Sequence, residues 1–213
     1  MRVTILGANG ATGGLLTERS LAAGYEVTAL VRRPAELRFK EKVRVVQGSV
    51  FEPEDVARAL EGSEVVLSAL GAHSPLRNEN VLPRAIPVLV AVMREKGPGR
   101  VIALGSAGAR GDSLKLQPAW RRWLVERVVY RTALKWPVHE QTVQYLRLSS
   151  SGLDWTMVMP PMLTNGRAKG SYRVDGEALP RNGGWISRED VAEFMMRQVE
   201  GREWVRKGVY LSY

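Results

Sequence analysis

The sequence predicts an α/β fold: a doubly wound parallel sheet forming one domain, residues 1–213, with a small C-terminal lobe on the substrate side. Three observations predict it. Short, nearly continuous apolar runs alternate with helical patterns, as in strands buried on both faces. A glycine-rich turn joins the first such run to the first helix. No repeat, low-complexity tract or Pro/Ser-rich linker divides the chain.

Taken in order, Val3-Thr4-Ile5-Leu6 is an apolar, β-branched strand ending at Gly7. A helix follows from Gly13 to Ala23, with Leu15, Leu16 and Leu21 as its apolar residues and Gly24 as its stop. Glu26–Val31 and Val43–Gln47 are the next strands. Pro53-Glu54-Asp55 opens a helix through Leu60, its acids at the positive end of the helix dipole. Glu64–Ala69 is strand four, Leu82–Lys96 a helix with a kink expected at Pro87, and Arg100–Leu104 strand five. His139–Ser150 reads as a helix, Trp155–Met159 as strand six, and Val209–Ser212 as a last short strand. Ser187 caps a helix from Arg188 to Glu200, with Glu189 and Asp190 in its first turn. Residues 160–185, rich in Gly and Pro, form the expected substrate-side loop, and residues 106–137 a candidate lid.

Composition removes several classes of function. The chain has no cysteine, which excludes disulfides, thiol catalysis and thiolate metal sites, and its two histidines make a His-rich metal site untenable. No metal is expected. The longest apolar stretch, 85–93, contains Pro87, ends at Arg94 and is too short to span a bilayer, so no membrane partner is expected. The N-terminus shows no signal-peptide h-region, and a cytoplasmic monomer is the expectation. Lys and Arg number 31 against 22 Asp and Glu, a net charge of +9, which suits an anionic small ligand, nucleic acid or an acidic surface.

The turn Gly7-Ala8-Asn9-Gly10-Ala11-Thr12-Gly13-Gly14 sits between a strand and a helix, the context that gives a glycine triplet meaning. Gly7 permits a tight turn, Gly10 lets backbone N–H groups approach a pyrophosphate, and Gly13 allows close helix–sheet packing. Gly7, Asn9, Gly10, Ala11, Thr12 and Gly13 are therefore candidate dinucleotide-binding residues. The second strand ends in Arg32-Arg33, where an NAD-preferring site would place an acid for the ribose hydroxyls. Guanidinium forks match a 2′-phosphate, so NADP(H) is the expected cofactor. Arg33, just before Pro34, can equally be a solvated loop residue.

GANGATGG, VRR, GSV at 48–50, SALG at 68–71, SGLDWTMVMPP at 151–161 and the tail GSYRVDGEALPRNGGWISREDVAEFMMRQV at 170–199 resemble the atypical short-chain dehydrogenases with an NAD(P)H-binding, NmrA-like domain. Within that group the chain is most similar to the flavin reductase / biliverdin-IXβ reductase family. The resemblance covers nearly the whole chain and is weakest at 108–137. It implies a Rossmann fold, and an NADPH-dependent reductase acting on a planar, anionic acceptor such as FMN, riboflavin or biliverdin. It also implies Ser49 and Val50 beside the adenine, and Ala69, Leu70 and Gly71 beside the cofactor. Ser106 would stand near the nicotinamide, with Pro160, Pro161, Met162 and Leu163 lining the nicotinamide and substrate side. Three positions depart from the family: Ser49 where an Asp is frequent, Met162 where a His is common, and Gln141 where a basic residue is usual.

Catalytic groups are few. The Tyr and Lys of ordinary short-chain dehydrogenases stand four residues apart, whereas Tyr130 and Lys135 are five apart, which argues against tyrosinate acid–base chemistry. Hydride transfer to a stacked flavin needs only proximity and orientation. Ser106 is the candidate positioning residue, or else a plain turn serine. His73, in the loop after strand four, and His139 read as a surface residue and a first-turn residue. Three readings fit Trp120-Arg121-Arg122-Trp123 through Trp136. One is an amphipathic helix with Trp120, Trp123, Leu124 and Val128 on one face. A second is a lid placing Trp120 and Met162 against the substrate. The third is a nucleic-acid surface, the least favoured, which salt-dependent binding would mark. A non-catalytic NADP(H)-binding redox sensor is the alternative to an enzyme.

Overall fold

The computed structural model describes residues 1–72, 74 and 76–213; His73, read above as a surface-loop residue, lies outside them. The first half alternates β1 (Arg2–Leu6), α1 (Ala11–Ala22), β2 (Glu26–Val31), β3 (Arg44–Gln47), α2 (Pro53–Leu60), β4 (Val65–Ser68), α3 (Val81–Glu95) and β5 (Arg100–Leu104). A single 3-10 turn, Ala107–Ala109, then leads to α4 (Ala119–Leu124), a π-helical stretch Val125–Val129, α5 (Lys135–Ser149) and β6 (Asp154–Met159). The chain ends with β7 (Met162–Thr164), β8 (Arg173–Asp175), β9 (Trp185–Ser187), α6 (Arg188–Glu200) and β10 (Lys207–Ser212).

The main sheet has the order β3-β2-β1-β4-β5-β6-β10-β8. β1 pairs in parallel with both β2 and β4, so the strand order reverses at β1. Ligands of open α/β sheets bind at the carboxyl ends of strands flanking such a reversal. Strand alternation divides the core between two faces. Leu6, Val66 and Val101 join Leu82, Ile86 and Leu148 beneath α3 and α5. Ile5, Leu67 and Ile102 join Leu16, Val191 and Met195 beneath α1 and α6. Both faces are covered, as the continuous apolar runs predict.

Three details differ from the sequence expectations. α1 starts at Ala11, not Gly13, because Gly13 packs inside the first turn against the Gly7 carbonyl. α5 begins at Lys135, so His139 lies in its second turn, exposed. The main sheet is not wholly parallel: β8 adds to β10 antiparallel as an edge strand. A run as short and polar as Arg173-Val174-Asp175 carries no strand periodicity to read. The lobe contains a second small sheet, β7 paired in parallel with β9.

Asp190 fastens this lobe to the body. It is buried at the start of α6, whose N-cap Ser187 accepts a hydrogen bond from the Asp190 N–H at 3.0 Å. The Asp190 carboxylate accepts the Lys169 and Gly170 N–H groups at 2.9 and 3.0 Å, the Ser187 hydroxyl at 2.8 Å, and the Tyr213 hydroxyl.

Candidate functional site

The carboxyl ends of β1, β2, β4, β5 and β6 gather most of the residues singled out by the sequence. Gly7 leaves β1 with φ +82°, and a Cβ there would stand 2.7 Å from the Ala69 carbonyl oxygen just past β4. The turn is closed by Gly10 N–H donating to Gly7 O at 2.9 Å, and Gly14 N–H to Gly10 O at 2.8 Å. Gly13 has no room for a side chain, since a Cβ would meet Gly7 O at 2.0 Å. Gly10 caps α1 with no side-chain hydrogen bond, so the first N–H groups of that helix keep no side-chain partner. Asn9, Gly10 and Ala11 are exposed, whereas Thr12 and Gly13 are buried beneath them. An open row of backbone donors at a positive helix end, shaped by glycines that a Cβ would obstruct, fits a pyrophosphate.

The Asn9 amide nitrogen donates to the Arg33 carbonyl at 3.1 Å, tying the turn to the end of β2. Arg32 and Arg33 are both exposed there. Arg33 Nη1 pairs with Glu36 Oε1 at 2.7 Å, while no described ion pair holds Arg32. Arg32 is thus the more available guanidinium. Beyond β3, the Ser49 N–H donates to Asp55 Oδ2 at 2.8 Å, and Val50 packs against the core. The Ser49 N–H holds the Asp55 carboxyl below its ordinary value, and Arg58 adds to the effect.

Ser106 follows β5 in extended conformation, and its hydroxyl makes no cap bond. The Ala107 N–H donates to the Pro160 carbonyl at 2.8 Å, which sets Ser106 beside the proline that closes β6. Pro160 is buried, Met162 is 64 % exposed on β7, and Leu163 packs on the core beneath α1 and α6. A cavity of about 190 Å³ lies nearby, lined by Gly71, Ala72, Ser74, Leu82, Pro137, Glu140 and Gln141. A cavity of about 380 Å³ opens at the opposite edge among Arg2, Glu26, Lys42, Arg44 and Glu61, away from the strands' carboxyl ends.

Glu140 escaped the sequence reading. It is buried, and its Oε2 accepts the Leu82 N–H at 3.0 Å. It thereby caps α3, whose own N-cap residue Asn80 is left-handed (φ 51°) and supplies no side-chain bond. No sequence signal marks this tertiary cap, since Asn80 is itself a residue type that favours the cap position. Gln141 accepts from the Gln144 amide at 3.0 Å, so the position where a base is usual is held by an amide pair.

Tyr130 and Lys135 do not form a dyad. Burial pushes the Tyr130 phenol above 10.0, against the Ser113 hydrogen bond and with help from Glu126, which is the wrong direction for a base. Lys135 Nζ stands over the Trp136 ring at 4.7 Å. The amphipathic face of the Trp/Arg segment exists but is turned outward: Trp120 is 70 % exposed and Trp123 61 %, with Leu124 and Val128 each 41 % exposed. Val125 and Tyr130 form the inward side, packed on the core. Arg121 anchors α4 to the lobe through the Gly183 carbonyl at 2.8 Å.

A family model described as NAD(P)H-binding matches residues 7–201. Among solved structures, a short-chain dehydrogenase/reductase of Veillonella parvula in complex with NADP superposes with a TM-score of 0.80 at 22 % identity, over 100 % of this chain and 94 % of that one. The anaerobilin reductase ChuY of Escherichia coli O157:H7 gives 0.79 at 21 %, over 100 % and 97 %. A candidate NADH-flavin reductase of Streptococcus pneumoniae gives 0.78 at 23 %, over 100 % and 99 %.

Proposed function

Because this chain belongs to the NAD(P)H-binding family, we propose that it is an NADPH-dependent reductase that passes hydride to a planar, conjugated acceptor, a flavin such as FMN or riboflavin, or biliverdin. The observation that carries this reading is the pairing of an open glycine turn, beside which no described ion pair holds Arg32, and a site with no tyrosine–lysine dyad among the described residues. Bound NADPH supplies the hydride. The chain's own residues supply position: the turn holds the pyrophosphate, Arg32 takes the 2′-phosphate with Arg33 in support, and Ser49 and Val50 border the adenine. Ala69, Leu70 and Gly71 flank the cofactor after β4. Ser106, beside Pro160, offers a free hydroxyl to the reacting edge, and exposed Met162 with Leu163 behind it borders the acceptor. Trp120, facing outward, would reach only an acceptor laid on the outer rim of the site.

The direct test is NADPH oxidation followed by absorbance with FMN, riboflavin and biliverdin in turn, beside NADH controls. Turnover with NADPH is expected, and the best acceptor names the substrate class. Tight NADPH binding without turnover on any acceptor would replace this reading with that of a redox sensor.

Two substitutions refine it. Arg32→Ala should weaken NADPH binding about 10- to 100-fold, the loss of a charge-assisted pair, and leave NADH binding nearly unchanged. Arg33→Ala should do less, since Glu36 already holds that side chain; equal losses for both cofactors would remove the 2′-phosphate assignment. Ser106→Ala should lower turnover about five- to tenfold with unchanged NADPH affinity. Unaltered turnover would return Ser106 to a plain turn residue.

A further inference from the structure

α4 and the π stretch that continues it carry an outward face left without a cover. Trp120, Trp123, Leu124 and Val128 lie on it, flanked by Leu116 and Leu134, and each is at least 36 % exposed. Contiguous large apolar groups in solvent mark contact surfaces. Arg127 and Arg131 stand among them at helical spacing, with Arg122 and Lys135 at the margins, all exposed. Among the described residues, no ion pair takes up any of these four cations. The outward orientation is fixed from behind, by Val125 and Tyr130 on the core and by the Arg121–Gly183 bond.

We propose that this face docks on an anionic lipid surface, the helix lying in the plane of the bilayer interface. Trp120, Trp123, Leu124 and Val128 enter the boundary between headgroups and acyl chains, and the four cations meet lipid phosphates. Charge complementarity argues for this occupant. Residues 115–135 carry Lys115, Arg121, Arg122, Arg127, Arg131 and Lys135 against Glu126 alone, in a chain of net charge +9. Nucleic-acid bases stack on rings but gain nothing particular from Leu124, Val128 or Leu134, whereas an acyl boundary accepts rings and aliphatic groups alike. A second copy fits poorly: a two-fold interface is isologous and would bring this basic patch against the same basic patch of the other copy. The contact requires no spanning helix, and among the described residues no helix is long and apolar enough to be one.

The test is co-sedimentation of the full chain with vesicles of phosphatidylcholine alone and of phosphatidylcholine mixed with phosphatidylglycerol, at low and high salt, with single-stranded RNA as a competitor. Binding is expected on the anionic vesicles only, weakened by salt, with a blue shift of tryptophan emission. Arg127→Ala with Arg131→Ala should weaken it about 25-fold, at about fivefold per cation. Trp123→Ala with Leu124→Ala should weaken it on the order of tenfold and reduce the blue shift. Both pairs are solvent-facing, so the melting temperature and NADPH affinity should stay at wild-type values. Equal binding to neutral vesicles, no binding to either, wild-type binding by both double variants, RNA displacing the vesicles, or a dimer that the variants dissociate would each overturn the proposal.

Discussion

Gly13→Ala is expected to abolish useful NADPH binding, raising the dissociation constant on the order of 100-fold or more, while Gly14→Ala next to it leaves binding intact. The two positions differ in what a methyl group would meet. At Gly13 a Cβ would stand 2.0 Å from Gly7 O, 2.7 Å from Gly7 C and 3.0 Å from Ala8 Cα, all backbone atoms that cannot rotate away. Either the helix start or the turn must move, and in the proposed complex both would present donors to the same phosphates. Overpacking of this kind costs about 1–3 kcal/mol even where side chains can yield, and a displaced phosphate turn loses several charge-assisted bonds besides. At Gly14 the nearest atom to a Cβ would be Ala8 O at 3.8 Å, an ordinary contact. Alanine is favoured over glycine inside a helix by about 1 kcal/mol, so Gly14→Ala should also raise the melting temperature. Fluorescence titration with NADPH decides the matter: wild-type affinity in Gly13→Ala would mean the cofactor does not lie on this turn.

Asp190→Ala is expected to release the lobe that completes the candidate site, at a cost of about 3–5 kcal/mol, since buried donors left unpaired cost about 1–3 kcal/mol each. The carboxylate is 1 % exposed and accepts from two backbone N–H groups and two hydroxyls. Its loss leaves those donors facing one another. Burial pushes the Asp190 carboxyl up, but the Tyr213 hydroxyl, the Lys169 and Gly170 N–H groups and the Ser187 hydroxyl together pull it lower, to a net value below 3.8. A carboxyl depressed on folding contributes stability above its unfolded value and loses it as the pH falls through the folded value. Wild-type stability in urea should therefore decline as the pH drops below about 4, and Asp190→Ala should show a shallower decline. Unchanged midpoints at neutral pH would show that the lobe is held by its apolar contacts alone. Reductase turnover should fall in the variant more than NADPH affinity, since Met162 and Leu163 belong to the lobe whereas the glycine turn follows β1.

Much of this molecule was legible before folding. The strand and helix alternation, the glycine turn, the Ser187 cap and the arginines after β2 are local patterns. Each depends on backbone geometry within a few residues, which is why the expected and observed elements agree to within one to four residues at their ends. The Trp/Arg segment shows where such reasoning stops. Helical spacing identified which residues share a face, but periodicity does not say which way that face points. The π stretch and the Arg121 tether to Gly183 turned Trp120 and Trp123 to solvent. Glu140 and the antiparallel edge strand β8 were invisible for a related reason, because each is defined by a group far away in sequence, Leu82 in one case and β10 in the other.

The doubly wound order and the glycine turn at its switch point are readable from the chain alone, because φ, ψ preferences and a two- or 3.6-residue apolar period act locally. What the long-range contacts settle is different: that Asp190 holds the lobe, that Glu140 caps α3, and that the Trp face looks outward. Burial and pairing across the fold depend on what arrives from the rest of the chain, and no local pattern encodes that arrival.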